Sequence, residues 1–277
     1  MEPLEIHFLG TGGGRFTMIT QRRRTAGLRL VNGDTHVHID PGPGALVFSN
    51  WARLSPQRLT GLVVTHCHPD HYSDAEVLIE AMSRGTRDHR GVVAAPNSVL
   101  HGNQSFDPSI SSYHRGLPAR IETLMPGHAF SVGDLSFEAV EARHSEKEGV
   151  GLVFEAPGSG KVGYTSDTGF FVGLGEIYRD LRLLVACAMW PRQEHLRYHL
   201  NTDEVLKLME AAEPGCVVLT HFGMKMLNAG PDEEAEFIEQ ETGVPVVAAR
   251  DGMKLSLGER IVVQGPRKRD EPRLIEA

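Results

Sequence analysis

Three histidines and an aspartate crowd into six positions, His66-Cys67-His68-Pro69-Asp70-His71, just after the run Leu62-Val63-Val64-Thr65. Such a run reads as a buried strand, and the polar cluster marks where that strand stops. At a strand end the period of two points His66 and His68 to one side. The turn opened by Pro69 then carries Asp70 and His71 round to a second position, so two adjacent cations can share the turn. By the same alternation Cys67 faces away and reads as a packed thiol. The chain holds 14 histidines, and several others also stand at expected strand ends beside acidic residues, where metal sites are usually built.

The rest of the 277 residues supports a folded α/β protein. Charged residues make up 23% and hydrophobic ones 40%, enough for a proper core and without disordered or fibrous character. Strand patterns fall at 4–9, 27–31, 36–39, 61–65 and 91–95, and a hairpin at 129–132 and 135–140 turns on Gly133-Asp134. More strands read at 150–155, 161–165, 183–189, 216–220, 244–248 and 260–264. Helix patterns are fewer. One covers 73–83, one covers 201–212 with Asn201 and Glu204 as a capping-box pair, and one covers 231–242 between Pro231 and Gly243. No Pro/Ser-rich linker divides the chain, so the expectation is one domain over residues 1–265, with helices packed outside two sheets. The mixed-charge, proline-bearing stretch that follows reads as a solvated tail over 266–277.

Several classes are excluded. The formal charge of −8 argues against nucleic-acid or anionic-membrane binding over the whole surface. The longest apolar stretch, Leu183 to Trp190, falls far short of the ~20 residues that span a bilayer, and the residues after Met1 begin no signal peptide. The expected location is therefore the cytoplasm, with no membrane partner. Cys67, Cys187 and Cys216 are scattered and form no CxxC pair, which rules out a disulfide framework.

The six-residue cluster resembles the HxHxDH motif of the metallo-β-lactamase-fold hydrolases, and the resemblance runs through most of the chain. It implies a four-layer αββα sandwich, two mixed sheets face to face with helices outside. It also implies that His144, Asp167 in Thr165-Ser166-Asp167-Thr168-Gly169, and His221 in Leu219-Thr220-His221-Phe222 complete the ligand set. In that pattern His66, His68 and His144 hold one divalent metal, and Asp70, His71 and His221 hold a second. Asp167 bridges them, and Asp40 supports the ligand turn from behind. Nitrogen and oxygen donors without thiolate favour Zn²⁺ and admit Mn²⁺ or Fe²⁺.

Two such cations suit hydrolysis by a bridging hydroxide. His199 lies 22 positions before His221 and resembles the non-ligand histidine of the phosphodiesterase branch, which includes ribonuclease Z and the phosphoribosyl cyclic phosphate phosphodiesterases. The segment Phe8 to Gly14 and the stretch around His221 are similar to the same branch. The resemblance thus implies a phosphodiesterase with Asp70 and His199 in catalysis, acting on a small or cyclic nucleotide-like phosphodiester. Ribonuclease Z usually carries a long arm between its third-motif His and bridging Asp, but here His144 and Asp167 are only 23 positions apart. RNA therefore ranks behind a small phosphodiester, and hydrolysis of a thioester or lactone stays open beside it. The resemblance admits a homodimer. Arg22, Arg23 and Arg24, three consecutive cations after the first strand, are candidates to clamp a phosphate, with Arg192 and Lys225 as weaker ones.

Overall fold

The computed structural model describes residues 2–266 and the backbone of 273–275. Among these residues the strands form two mixed sheets. In the nine-stranded first sheet the order is Arg273–Ile275, Ile261–Gln264, Lys254–Leu257, Leu4–Phe8, Leu28–Asn32, Thr35–Ile39, Gly61–Val63, Val92–Pro96 and Arg120–Leu124. From Thr35–Ile39 onward its strands run parallel. The second sheet is ordered Val246–Ala248, Val217–Thr220, Leu183–Trp190, Val162–Tyr164, Val150–Glu155, Leu135–Glu141 and Ala129–Val132, with the short strand Leu200–Asn201 also paired to Leu183–Trp190. Its first four strands are parallel and the rest form an antiparallel meander.

The inner faces pack on each other through period-two side chains. Phe8, Leu30 and Val37 of the first sheet share one buried cluster with Phe137, Leu152 and Val185 of the second. Phe130, Phe137 and Phe154 stack within it, with centroids 4.9 and 5.6 Å apart. Helices Ala45–Trp51 and Ala75–Met82 cover the outer face of the first sheet, and helices Thr202–Ala212 and Pro231–Thr242 that of the second. The result is the expected four-layer αββα sandwich.

Local sequence rules fix the long helices. Asn201 accepts from the Glu204 N–H while Glu204 reaches back to the Asn201 N–H, a complete capping box. Pro231 opens the other helix, three acids follow in its first turn, and Gly243 at φ 69° closes it. The helix expected over 73–83 is instead a turn of helix at Pro69–Tyr72 followed by Ala75–Met82. Part of the tail expected to be solvated pairs with the sheet, because Arg273–Ile275 adds antiparallel to Ile261–Gln264. The remainder of that tail, 267–272 and 276–277, lies outside the described residues. No helix among the described residues is long and apolar enough to cross a membrane.

Candidate metal centre

Carboxyl ends of parallel strands from both sheets meet at one rim of the sandwich, the usual place for a site in such sheets. The strand Gly61–Val63 stops before its histidines, so His66 and His68 come off a loop and Asp70 and His71 off the helical turn at Pro69–Tyr72. Asp40 follows Thr35–Ile39, Asp167 follows Val162–Tyr164, and His221 follows Val217–Thr220. His144 comes just after the antiparallel strand Leu135–Glu141, and His199 just before Leu200–Asn201.

All seven residues expected as ligands converge. His66 Nε2 lies 3.1 Å from His68 Nδ1, which lies 3.0 Å from His144 Nε2. His71 Nε2 and His221 Nε2 are 3.1 Å apart, and Asp70 Oδ2 is 3.7 and 3.5 Å from them. Asp167 stands between the two groups. Its Oδ2 is 3.9, 3.7 and 4.0 Å from His66, His71 and His144, and its Oδ1 is 3.1 Å from His221.

This packing fits divalent cations. Ring nitrogens pointed at one another cannot all carry protons, and Asp167 Oδ1 is buried without a hydrogen-bond partner. Burial holds His66 far below its ordinary pKa and, with help from His199 and His68, pushes His144 down to about 4, so both keep a lone pair for a metal. His71 is buried too, yet Asp40, Asp70 and Asp167 drive its pKa well up. Three carboxylates that favour a proton there favour a metal cation at the same place. Asp167 is held well below the carboxylate range despite its burial, by His221 and His71.

Supporting contacts fix which nitrogen faces inward. His71 Nδ1 donates to Asp40 Oδ2 at 2.9 Å and His144 Nδ1 to the Tyr198 carbonyl at 3.1 Å, which leaves each Nε2 for the centre. Asp40 also accepts from Thr65 N, Thr65 Oγ1 and Tyr164 Oη at 2.7 to 2.9 Å, and Thr65 Oγ1 reaches Ser166 Oγ at 2.6 Å. One buried carboxylate thereby ties the ligand turn of the first sheet to a strand of the second. Asp40, Ser166 and His221 all have left-handed backbones, φ 53°, 53° and 60°. Such strain, about 1–3 kcal/mol at each, is commonly concentrated where side chains must be aimed.

The glycine run closes the site from the other side. Gly14 N donates to Asp70 Oδ2 at 2.7 Å, and a Cβ on Gly13 would lie 2.2 Å from the His221 ring. The backbone approaches the ligands more closely than any side chain would allow. Cys67 packs with the outer-helix cluster instead, its thiol pushed up to about 12 by burial and the nearby Glu146.

The sequence model described as "Beta-lactamase superfamily domain" matches residues 35–222, which contain all seven converging residues. The chain belongs to the metallo-β-lactamase superfamily. "Uncharacterized protein MJ1374" of Methanocaldococcus jannaschii is 37% identical over 256 residues, 92% of this chain and 95% of that protein. Ribonuclease Z of Thermococcus kodakarensis is 36% identical over 80 residues, 29% of this chain and 24% of its own. The metallo-β-lactamase-fold protein YhfI of Bacillus subtilis superposes with a TM-score of 0.76 at 18% identity, covering 92% of this chain and 100% of its own. A diphosphatase of the PhnP family gives 0.65 at 19% identity, covering 91% and 97%. This metallo-β-lactamase-fold chain is accordingly a metal-dependent hydrolase, with local sequence similarity to ribonuclease Z.

His199, expected as a non-ligand catalytic group, sits half-buried at the rim of this hydrolase's centre. Its Nε2 is 3.4 Å from Asp167 Oδ2, its Nδ1 is 3.3 Å from the Arg197 carbonyl, and its ring centroid is 4.9 Å from that of His144. Burial opposes charge on His199, but Asp167 raises its pKa.

The five cations expected near substrate are engaged elsewhere. Arg22 bonds Asn228, Arg23 reaches Thr11 and the Ala249 carbonyl, and Arg24 stacks 4.2 Å over Phe48. Arg192 lies 4.4 Å over Phe237 and pairs with Glu234, while Lys225 pairs with Glu194 at 2.8 Å. A cation the sequence reading passed over is Arg15, next in the chain to Gly14, whose N–H bonds Asp70; its charge adds to the burial that lowers the pKa of His68, against Asp167, which raises it. Its signal was available in the sequence, since it follows Gly14 directly.

Proposed function

We propose that the chain is a dinuclear metal-dependent phosphodiesterase acting on a small or nucleotide-like phosphodiester. His66, His68 and His144 would hold one cation, Asp70, His71 and His221 the other, with Asp167 between them. The all-nitrogen-and-oxygen set favours Zn²⁺ and admits Mn²⁺ or Fe²⁺. Two such cations would neutralise charge on a phosphoryl oxygen and lower the pKa of an attacking water.

The observation that carries the reading is His199, placed outside the two ligand groups with acceptors at both ring nitrogens. Asp167 thereby favours the protonated ring against the opposing effect of burial, and the Nε2 proton would go to a departing alkoxide. An ester with a thiolate leaving group needs no such donor. Asp70, through the Gly14 N–H, keeps the glycine loop against the centre.

The local identity to ribonuclease Z favours RNA cleavage as a second reading. Against it, the chain between His144 and Asp167 is used by the strands Val150–Glu155 and Val162–Tyr164 and their turn, with no room for an arm. We also take residues 1–265 as one domain, because the shared core runs from Leu4 to Val263.

The test is turnover of bis(p-nitrophenyl) phosphate by metal-free protein reloaded with Zn²⁺ or Mn²⁺, alongside His199→Ala. Metal-dependent turnover that falls about 10²–10⁴-fold in the variant is expected. Hydrolysis of thioesters or lactones alone, indifferent to His199→Ala, would overturn the reading.

A further inference from the structure

The helix Arg15–Thr20 leaves four of its six residues exposed beside the centre. Gly14, immediately before it, donates its N–H to Asp70 Oδ2 at 2.7 Å, and Thr17 Oγ1 bonds the carbonyl of Phe222, the residue after His221, at 3.2 Å. These two contacts clamp the helix onto ligand-bearing segments from both halves of the centre. Consecutive Cα atoms are about 3.8 Å apart, so Arg15 starts one residue from a group that touches the centre, within reach of its long side chain. Arg15 is exposed, and among the described residues it forms no ion pair, whereas Arg192 and Lys225 are each paired with a glutamate.

The same helix exposes two large apolar side chains. Phe16 is 75% exposed and Ile19 72%. Positions 15 and 19, and 16 and 19, are neighbours on a helix surface, so the cation, the ring and the aliphatic group form one continuous patch. Thr17, pointing the other way, is buried. Exposed aromatic rings beside a cation suit a ligand with a planar ring next to an anion. The cation takes the anion's charge and the ring face takes the plane, without demanding a particular base.

We infer that Arg15 and Phe16 form a substrate-recognition patch for a nucleobase-bearing phosphodiester, Arg15 receiving a phosphate oxygen and Phe16 stacking on the base. The inference rests on the phosphodiesterase reading and sharpens it. It assigns discrimination between nucleotide and plain alkyl phosphodiesters to this short helix.

The experiment compares two substrates with one leaving group, thymidine 5′-p-nitrophenyl phosphate and methyl p-nitrophenyl phosphate, in the metal-loaded protein and in Phe16→Ala, Phe16→Leu and Arg15→Ala. A second readout, calorimetric binding of adenosine monophosphate against ribose 5-phosphate, does not depend on turnover. Both Phe16 variants should lose about tenfold in kcat/KM for the thymidine ester and stay within about twofold for the methyl ester. Arg15→Ala should raise KM for both substrates by about tenfold with a smaller change in kcat. Adenosine monophosphate should bind less tightly to every variant.

Unchanged ratios in all variants of an active enzyme would overturn the inference and leave the phosphodiesterase reading intact. So would conversion of a dimer to monomers by Phe16→Ala with unchanged discrimination, which would make the patch a subunit contact. A protein without phosphodiester turnover whose nucleotide binding still weakens in the variants would overturn the phosphodiesterase reading instead. Absence of both turnover and binding would overturn both.

Discussion

Two groups of buried histidines occupy this molecule, and they differ in what surrounds them. At the strand ends, His66, His71, His144 and His221 face one another around Asp70 and Asp167. On the outer face of the first sheet, His36 and His38 are as deeply buried, with exposures of 3% and 0%. Burial lowers the pKa of His38 strongly and that of His36 to about 4, with the cations Arg58 and Arg29 adding to the effect at His36. Yet His38 Nδ1 accepts from the buried Arg29 and neither ring nitrogen of His36 has a partner. A neutral histidine in a core is therefore no sign of a metal. Convergence on carboxylates suits the strand-end group to a cation, and a neighbouring arginine makes the sheet-face pair unsuited to one.

The largest effect that would break this contrast is removal of the shared carboxylate. Asp167→Asn should strip the metal from the purified protein, measured by elemental analysis, and lower hydrolysis about a thousandfold, the scale of several kcal/mol of lost charge stabilisation. Full metal content in that variant would mean that the histidines suffice. Asp40→Asn comes next. It weakens the acceptor of His71 Nδ1 and of Thr65 while leaving every proposed ligand in place, and metal affinity by competitive chelation should fall 10–100-fold.

Gly13→Ala tests the half of the site built by tertiary approach. The added Cβ must displace the His221 ring or the loop, at about 1–3 kcal/mol of stability. Thermal unfolding should register that loss, and the metal-to-protein ratio should drop toward one as the His221 group is disturbed.

The smallest effect lies in the other histidine group. His36 has a folded pKa lowered from 6.5 to about 4, so it stays neutral when folded while the unfolded chain takes up a proton. Stability from this group is fully present above pH ~6.5 and declines as pH falls toward about 4. Burial is the first cause; of the charges around it, Arg58, Arg29 and His7 act in the same direction and Asp34 opposes them. His36→Leu should flatten that part of the melting-temperature profile against pH, and an unchanged profile would refute the assignment.

Much of this was legible in the chain. His66, His68, Asp70 and His71 stand within one turn, so spacing alone brings them together. The capping box at Asn201 and Glu204, and the helix between Pro231 and Gly243, are local devices and formed where the residues put them. The helix Arg15–Thr20 was missed because a glycine-rich turn precedes it and only two of its six residues, Thr17 and Met18, are turned inward. The strands Arg120–Leu124 and Lys254–Leu257 were also missed. The first lacks a clear alternation, its first four residues being exposed or only partly covered, and the second is brief and held by partners far along the chain.

The Arg22 to Arg24 run shows how little spacing says about side-chain direction. Three adjacent cations suggest an anion site, but their directions were set by Asn228, Thr11 and Phe48, all of them distant in sequence. Side-chain aim depends on which surface the backbone passes, and composition carries no record of it.

By itself the sequence determined the ligand types, the strand-and-helix alternation that gives a layered α/β sandwich, and the hydrolytic class its motif implies. The tertiary structure alone decided that Asp167, His199 and His221 meet the first-sheet ligands, that Asp40 ties the two sheets together, and that Arg22, Arg23 and Arg24 each turn to a different protein group. The reason is physical: spacing along the chain fixes only contacts within a turn or a strand, while contacts between strand ends depend on how two sheets pack, which the core as a whole settles.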